Sequence, residues 1–337
     1  MPYYLVTLVI SFAVSAAFMP LCILAARKLN IMDFPTSSIK THTSAVPYLG
    51  GAAVFAGFVL SLALIRYLSH FPTGTLYQLR GIVIGSTVIF VMGVVDDIHD
   101  LDYKIKFFVQ IVAASVLFRY GIGIKIFQGP LLNYFLSVLW ILAITNGFNI
   151  IDVMDGLTAT VLIASGLFFF LVSLPTEQIY VNFSALAVFG AAAGFLLFNF
   201  PPAKVFMGDA GSLTTGFIMA AISLGAKYSA VHPVGIFAPM LILAIPLFDL
   251  LFVMIHRTRR GLSPFLGSKD HFALRMLKLG FSKKEVLLRV FITSAVLGFS
   301  AWLLTIIPMT WAFVLSGFLI IIGFYLASWL SVIDMSD

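Results

Sequence analysis

The stretch Val88-Ile89-Phe90-Val91-Met92-Gly93-Val94-Val95-Asp96-Asp97-Ile98-His99-Asp100 decides the class of fold. An uncharged run passes directly into three carboxylates. Burying a carboxylate near lipid is costly unless something offsets its charge, so acids gather where an apolar helix meets water. The same pattern extends along the whole chain of 337 residues, which is 61% hydrophobic and only 10% charged. Its mean hydropathy of +1.08 excludes an ordinary soluble domain, since such domains are about half apolar and about a quarter charged. Apolar runs at 3–26, 48–68, 79–95, 106–121, 131–148, 158–174, 181–199, 212–228, 234–255, 286–307 and 310–332 approach the roughly 20 residues that a spanning helix needs. In lipid the backbone must satisfy itself, which leaves helices or a closed barrel. Runs such as Val290 to Trp311 do not alternate as barrel strands do. The expected fold is therefore an all-α integral membrane bundle of about eleven transmembrane helices, one polytopic domain over 1–337, with no shift in composition to mark a second. The first run is too long for a signal-peptide core and lacks a basic stretch before it, so it reads as a retained helix. The single cysteine, Cys22, excludes a disulfide framework and a thiolate metal site.

Charge sets the expected orientation. Most of the 20 Lys and Arg residues fall in the odd-numbered connections, among them Arg27, Lys40, Lys106, Lys204 and the basic stretch from Arg257 to Arg289. The even side holds Arg66, Arg80, Arg119, Lys125 and Lys227. The odd side is then cytoplasmic, the N-terminus outside and the C-terminus inside, in a plasma membrane. Of the 14 acidic residues only Glu177 falls on the outer side. The net charge of +6 does not imply nucleic acid, because the basic residues hug helix ends without interleaved aromatics.

Four constellations on the cytoplasmic side carry chemistry. Asp96 and Asp100, at i and i+4, share a helix face with Asp97 beside them. Such like charges suit a hard divalent cation that also takes substrate phosphates, although a solvated acidic helix end reads the same way in isolation. Asn146, Asn149, Asp152 and Asp155 recur every three residues before Gly156 and line one helical stripe in an apolar context. Polar groups there need partners, and amides beside carboxylates can hold a ribose or a base edge. Around Asp209, the segment Asn199 to Ser212 holds Gly208 and Gly211 before a helix N-terminus, which favours bound phosphate. Lys40 and His42 precede Pro47 and Gly50-Gly51, and a lysine and a histidine there can meet a diphosphate. In the long basic connection at about 256–285, most charges read as anchors against anionic lipid. Lys269-Asp270-His271 with Arg275 has instead the mixed charge of a phosphate pocket.

Together these motifs resemble the polyprenyl-phosphate N-acetylhexosamine-1-phosphate transferase family, from Lys40 to about Leu279. Four ordered motifs carry the resemblance: Lys40-x-His42 to Gly50-Gly51, Asp96-Asp97-x-x-Asp100-Leu101, Asn146-x-x-Asn149-x-x-Asp152-x-x-Asp155-Gly156-Leu157, and Phe206-Met207-Gly208-Asp209-x-Gly211-Ser212. The resemblance implies transfer of a sugar-1-phosphate, most readily N-acetylglucosamine-1-phosphate, from a UDP-N-acetylhexosamine to undecaprenyl or another polyprenyl phosphate, with release of UMP, in a cytoplasm-facing cleft. It implies Mg²⁺, with Mn²⁺ as the alternative, on Asp209 and Asp96. It makes Asp96, Asp97 and Asp152 the catalytic set, with Asp96 or Asp97 holding or deprotonating the lipid phosphate. Asn149, Asp155, Asn199 and Phe206 would surround the nucleotide, Phe206 stacking on uracil, while Lys40, His42, His271 and Arg275 would meet the phosphates. Membrane lipid is the other implied partner, and homodimers are common in such folds.

This chain departs from the pattern at Asp270-His271-Phe272-Ala273-Leu274-Arg275, where relatives usually carry several histidines. That favours the N-acetylglucosamine branch over the muramoyl-pentapeptide one. Val153 stands where relatives often have glycine. Two other readings compete. An intramembrane prenyltransferase also uses Asp-rich motifs, but holds a diphosphate between two similar ones. A transporter places charge near the bilayer midplane and on both sides, whereas these acids lie on one.

Overall fold

The computed structural model describes residues 2–35, 45–68, 75–176, 178–229, 233–263, 268–333 and 335. It is a helical bundle: α1 (Pro2–Lys28), α2 (Gly50–Leu68), α3 (Thr75–His99), α4 (Tyr103–Arg119), α5 (Pro130–Ile151), α6 (Leu157–Ser173), α7 (Ile179–Asn199), α8 (Gly208–Ser223), α9 (Ala238–Ile242), α10 (Ala244–Arg259), α11 (Phe272–Lys278), α12 (Lys283–Leu304) and α13 (Met309–Ser331). Each apolar run of the sequence falls on helix. Among the described residues, eight helices are long and apolar enough to cross a membrane, or nine if the bent segment through α9 and α10 is one crossing. This is a multi-pass, all-α membrane protein. At 17 and 16 residues, α4 and α8 are not among those eight.

The run at 234–255 is not the straight span that its composition suggests. Pro233–Ile242 and Ala244–Arg259 meet at Leu243 with a bend of 73°. Pro246 has no N–H to donate back to Ile242, so the helical ladder breaks there. A second departure from the all-helical expectation is a two-residue antiparallel pairing of β1 (Met32–Asp33) with β2 (Val46–Pro47).

Without a hydrophobic force between helices in lipid, close packing and polar stitches hold the bundle. Along the α1–α7 seam, the hydroxyls of Ser11 and Ser15 donate to the carbonyls of Ala187 and Ala191 at 2.5 and 2.9 Å. Gly194 of α7 lies so close to α1 that a Cβ would stand 2.6 Å from the Phe12 carbonyl. The centre of the bundle is α8, every residue of which from Ala210 to Ser223 is buried. It fits between α2, α3 and α5 because Gly51 faces Gly211 and Gly93 faces Ala210 with no room for a side chain. By contrast α13 turns Trp311, Phe313, Phe318 and Phe324 outward, as a lipid-facing helix does. This topology brings the C-terminal ends of α3, α5, α7 and α10 to the N-terminal ends of α4, α8 and α12, and the polar motifs meet there.

Candidate active site

The site is built around the first turn of α8. A helix N-terminus carries unpaired N–H groups, and Met207 at its N-cap has no side-chain acceptor to offer them. Asp97, at the end of α3, supplies it. Its Oδ1 accepts from the Asp209 N–H at 2.7 Å and its Oδ2 from the Ala210 N–H at 3.1 Å. Gly208 makes the turn with φ of +71°, and a Cβ there would stand 2.8 Å from Asp97 Oδ2. The hydroxyl of Tyr48 donates to the Asp97 carbonyl at 3.1 Å. Both of its oxygens hold the α8 terminus, so the structure gives Asp97 the task of positioning Asp209.

Asp96 and Asp209 are brought together by a cation that enters the sequence analysis only through the charge asymmetry that sets orientation. Lys106, from the first turns of α4, reaches Asp96 Oδ2 at 2.6 Å and Asp209 Oδ2 at 3.4 Å. The other oxygen of the buried Asp96 accepts from the Leu101 N–H at 2.8 Å. Asp100, at φ of +50°, shapes the turn that delivers that N–H. From α5, the Asn149 amide donates to Asp209 Oδ1 and Ser212 Oγ, both at 3.0 Å. Two carboxylates, one ammonium and one amide from four helices therefore converge. Among the described residues no three acidic or imidazole groups form a preformed metal cage. Two converging carboxylates nonetheless suit Mg²⁺, which usually takes one or two of them and leaves its other positions to water and phosphate oxygens.

A second polar layer lies beside this cluster in the turn between α5 and α6. Half-buried Asp152 accepts from the Thr158 hydroxyl at 2.7 Å. Burial pushes its carboxyl up to about 6, with the Asp155 charge adding to the rise and the Thr158 bond opposing it. Asp155 is buried and paired with Lys283 of α12 at 3.0 Å, and it accepts from the Ala203 N–H at 3.3 Å. Asn199 accepts from the Gly156 N–H at 2.7 Å and donates to the Val205 carbonyl at 2.8 Å. Asp155 and Asn199 therefore tie the 152–156 turn to the 200–206 loop and shape the site, where a direct nucleotide contact was expected of them. Phe206 is half-buried, its backbone held by the Pro47 carbonyl and the Gly50 N–H at 2.8 and 3.0 Å.

The loop before α11 is pinned separately. His271 bonds through Nδ1 to Asp249 Oδ2 at 2.8 Å, and the Phe272 N–H reaches the other oxygen of Asp249 at 2.9 Å. Arg275, expected at the phosphates, is wholly buried. Its guanidinium bonds to Asp270 at 2.9 Å, to the Leu330 and Ile333 carbonyls at 3.0 and 2.5 Å, and lies 5.1 Å from the Phe252 ring centroid. It caps the C-terminal end of α13, where a cation complements unpaired carbonyls, and this corrects the substrate-binding role. Burial alone would raise the Asp270 carboxyl, but the Ser268 hydroxyl and the Arg260 and Arg275 guanidiniums hold it below the usual range. Lys40 and His42 lie outside the described residues. Sequence reasoning missed Lys106, Asp249 and Lys283. The available signal was the same for all three: a charged residue within or bordering an apolar run.

An apolar helical bundle with carboxylates, a lysine and amides gathered at one end is the architecture of a membrane enzyme that acts on phosphates. Comparison with known proteins makes the class definite. The sequence model described as glycosyl transferase family 4 matches residues 79–227, and the chain belongs to the polyprenyl-phosphate N-acetylglucosamine-1-phosphate transferase family. It is 32% identical over 285 residues to the probable undecaprenyl-phosphate N-acetylglucosaminyl 1-phosphate transferase of Bacillus subtilis (strain 168), covering 82% of this chain and 78% of that one. It is 32% identical over 314 residues to the decaprenyl-phosphate N-acetylglucosaminephosphotransferase of Mycobacterium tuberculosis (strain ATCC 25618 / H37Rv), covering 84% and 77%. To the undecaprenyl-phosphate alpha-N-acetylglucosaminyl 1-phosphate transferase of Escherichia coli (strain K12) it is 27% identical over 287 residues, covering 81% and 76%. The prenyltransferase and transporter readings fall away.

Proposed function

We propose that this protein transfers N-acetylglucosamine-1-phosphate from UDP-N-acetylglucosamine to a polyprenyl phosphate, with release of UMP, at the cytoplasmic face of the plasma membrane. The observation that carries this reading is the convergence of Asp96, Lys106, Asn149 and Asp209 at one end of the bundle. It occurs in a chain whose relatives are named for this sugar phosphate and for undecaprenyl or decaprenyl phosphate. The 15-to-5 split of basic residues between the two sides supports a cytoplasmic cleft, an outer N-terminus and an inner C-terminus. Eleven crossings follow if α4, α8 and the bent α9–α10 segment each count as one.

An oxygen of the lipid phosphate attacks the β-phosphorus of the UDP-sugar. The bond from that phosphorus to the oxygen bridging it to the uridine phosphate breaks, and its electron pair leaves with UMP. The chain has little covalent work to do; phosphoryl transfer is mainly positioning and electrostatics. It also needs no general base, because a phosphate monoester with a second pKa of about 6 is already largely dianionic at neutral pH. This agrees with an Asp97 whose oxygens are engaged by backbone. Lys106 balances Asp96 and Asp209 and offers an ammonium to the incoming phosphates. Asn149 fixes the rotamer of Asp209, and Phe206 supplies an aromatic face for uracil. Asp209 and Asp96 would hold Mg²⁺, or Mn²⁺ in its place, and the bound ion supplies positive charge for the diphosphate and the departing UMP.

The test is UMP release by the purified protein with Mg²⁺, undecaprenyl phosphate and a panel of UDP-N-acetylhexosamines. Release with UDP-N-acetylglucosamine is expected. Release with a different sugar alone would overturn the donor, and no release from any would overturn the reaction.

A further inference from the structure

Asp249 is an acid inside the α10 segment that no part of the mechanism above uses. It is fully buried, and among the described residues it forms no ion pair with Lys or Arg, although the Arg275 guanidinium lies close enough to interact with its charge. An isolated buried carboxylate is costly, so its partners define what it is for. They are the His271 ring and the Phe272 backbone N–H, both from the loop before α11, at 2.8 and 2.9 Å. One carboxylate thus fixes both the ring and the main chain of that loop. A second network holds the same loop from the other side, with Arg260 and Arg275 on Asp270 at 3.2 and 2.9 Å. The His271 ring is left little freedom.

Position and chemistry say what the arrangement is for. Gly147 of α5 packs on Pro246 of α10, where a Cβ would stand 3.0 Å from the Pro246 carbonyl. Both helices run towards the end of the bundle where the polar motifs gather. Three residues further along each, at 1.5 Å rise per residue, Asp249 stands level with the Asn149–Asp152 stretch. An ionised carboxylate only accepts hydrogen bonds, so His271 Nδ1 must carry the proton. That leaves Nε2 as the ring's free position. No protein partner is found for it among the described residues, and the side chain is nearly buried, at 7% exposure.

We propose that Asp249 is a positioning residue of the transferase: it locks His271 in the Nδ1–H form and presents Nε2 to the substrate phosphates. This rests on the transferase reading above. A histidine held in this way by an acid is a recurrent device for setting tautomer and ring orientation, and losing such an orienting partner typically costs about 10- to 100-fold in function. No bond is made or broken at Asp249. Its effect passes wholly through His271, and the experiment is built on that.

Asp249→Asn, His271→Ala and the double variant are compared with the wild type for kcat and KM in UMP release, with thermal melting and UDP binding measured on each. Wild-type turnover of UDP-N-acetylglucosamine secures the underlying reading; its absence would sink that reading irrespective of Asp249. Given turnover, Asp249→Asn should lower kcat about 10- to 100-fold with KM changed much less, while the protein still binds UDP. The double variant should be no slower than His271→Ala alone. Losses that multiply would overturn the proposal, since Asp249 would then act independently of His271. A uniform loss of folding in Asp249→Asn is met by a measurement on the wild type. Histidine-selective ¹⁵N labelling, with the His271 signal assigned by its absence in His271→Ala, should show a protonated Nδ1. A neutral ring protonated only on Nε2 would refute the proposal without any Asp249 variant.

Discussion

Substituting Asp97 separates a structural carboxylate from a chemical one. The side chain accepts two backbone N–H groups at the start of α8, at 2.7 and 3.1 Å, across more than a hundred residues of sequence. Hydrogen bonds to a charged acceptor are worth about 1.5–3 kcal/mol each, and loss of a helix N-cap costs about 0.5–2 kcal/mol. These figures overlap, because the cap is the pair of bonds. Asp97→Ala should therefore destabilise the protein by about 2–4 kcal/mol, and it leaves the two N–H groups without their acceptor. Asp97→Asn keeps one carbonyl acceptor and turns an amide N–H towards the second donor, so its cost should be about half as large. Both are measured by thermal melting in detergent and by amide hydrogen exchange at Asp209 and Ala210, which should rise in both variants and most in Asp97→Ala. Activity should fall in step with the loss of order at Asp209, leaving Asp97→Asn partly active. An Asp97→Asn protein as stable and as slowly exchanging as the wild type, yet without turnover, would refute the capping role and restore a base.

Lys106→Met removes the ammonium between Asp96 and Asp209. UMP release should fall at least about tenfold, as expected when a positioned electrostatic group is lost, while the Mg²⁺ concentration for half-maximal activity should drop because no side-chain cation competes for the carboxylates. A raised Mg²⁺ requirement would contradict this. Phe206→Ala should raise KM for the UDP-sugar more than for the lipid phosphate, and equal changes would argue against stacking. Asp152 titrates near 6 in the folded protein against 3.8 for a free aspartate, so the folded state binds the extra proton between those values. Its folded pKa is raised, so stability is highest below about 4 and declines as pH rises to about 6, then stays level with respect to this group. Asp152→Asn should flatten that part of the melting profile and melt above the wild type at pH 7; a parallel profile would show that Asp152 is not so perturbed.

The helices were legible because composition in a bilayer leaves the backbone few choices, and the runs from 3–26 to 310–332 all fall on helix. Asp96, Asn149 and Asp209 were legible for a related reason: each is a polar group that an apolar surrounding does not explain. Partners distant in sequence were not legible. Asp97 sits beside Asp96 in the chain, yet one faces Lys106 and the other the α8 backbone, and only the packing of α3 on α8 decides which. Lys106 at the entry to an apolar run looks the same whether it anchors in headgroups or turns inward. Arg275 was read as a phosphate ligand because nothing local reveals that the Leu330 and Ile333 carbonyls await it. The break at Leu243 was available in Pro246, but hydropathy averaged over a window conceals a missing N–H.

The central claim is that a phosphosugar, and not a bare sugar, passes to the lipid. It is tested most directly with UDP-N-acetylglucosamine carrying ³²P at the β-phosphorus, incubated with the protein, Mg²⁺ and undecaprenyl phosphate and then partitioned between solvent and water. The account predicts that the label moves into the lipid fraction in equal amount with unlabelled UMP in water. Label remaining in water as UDP, with sugar alone on the lipid, would contradict it.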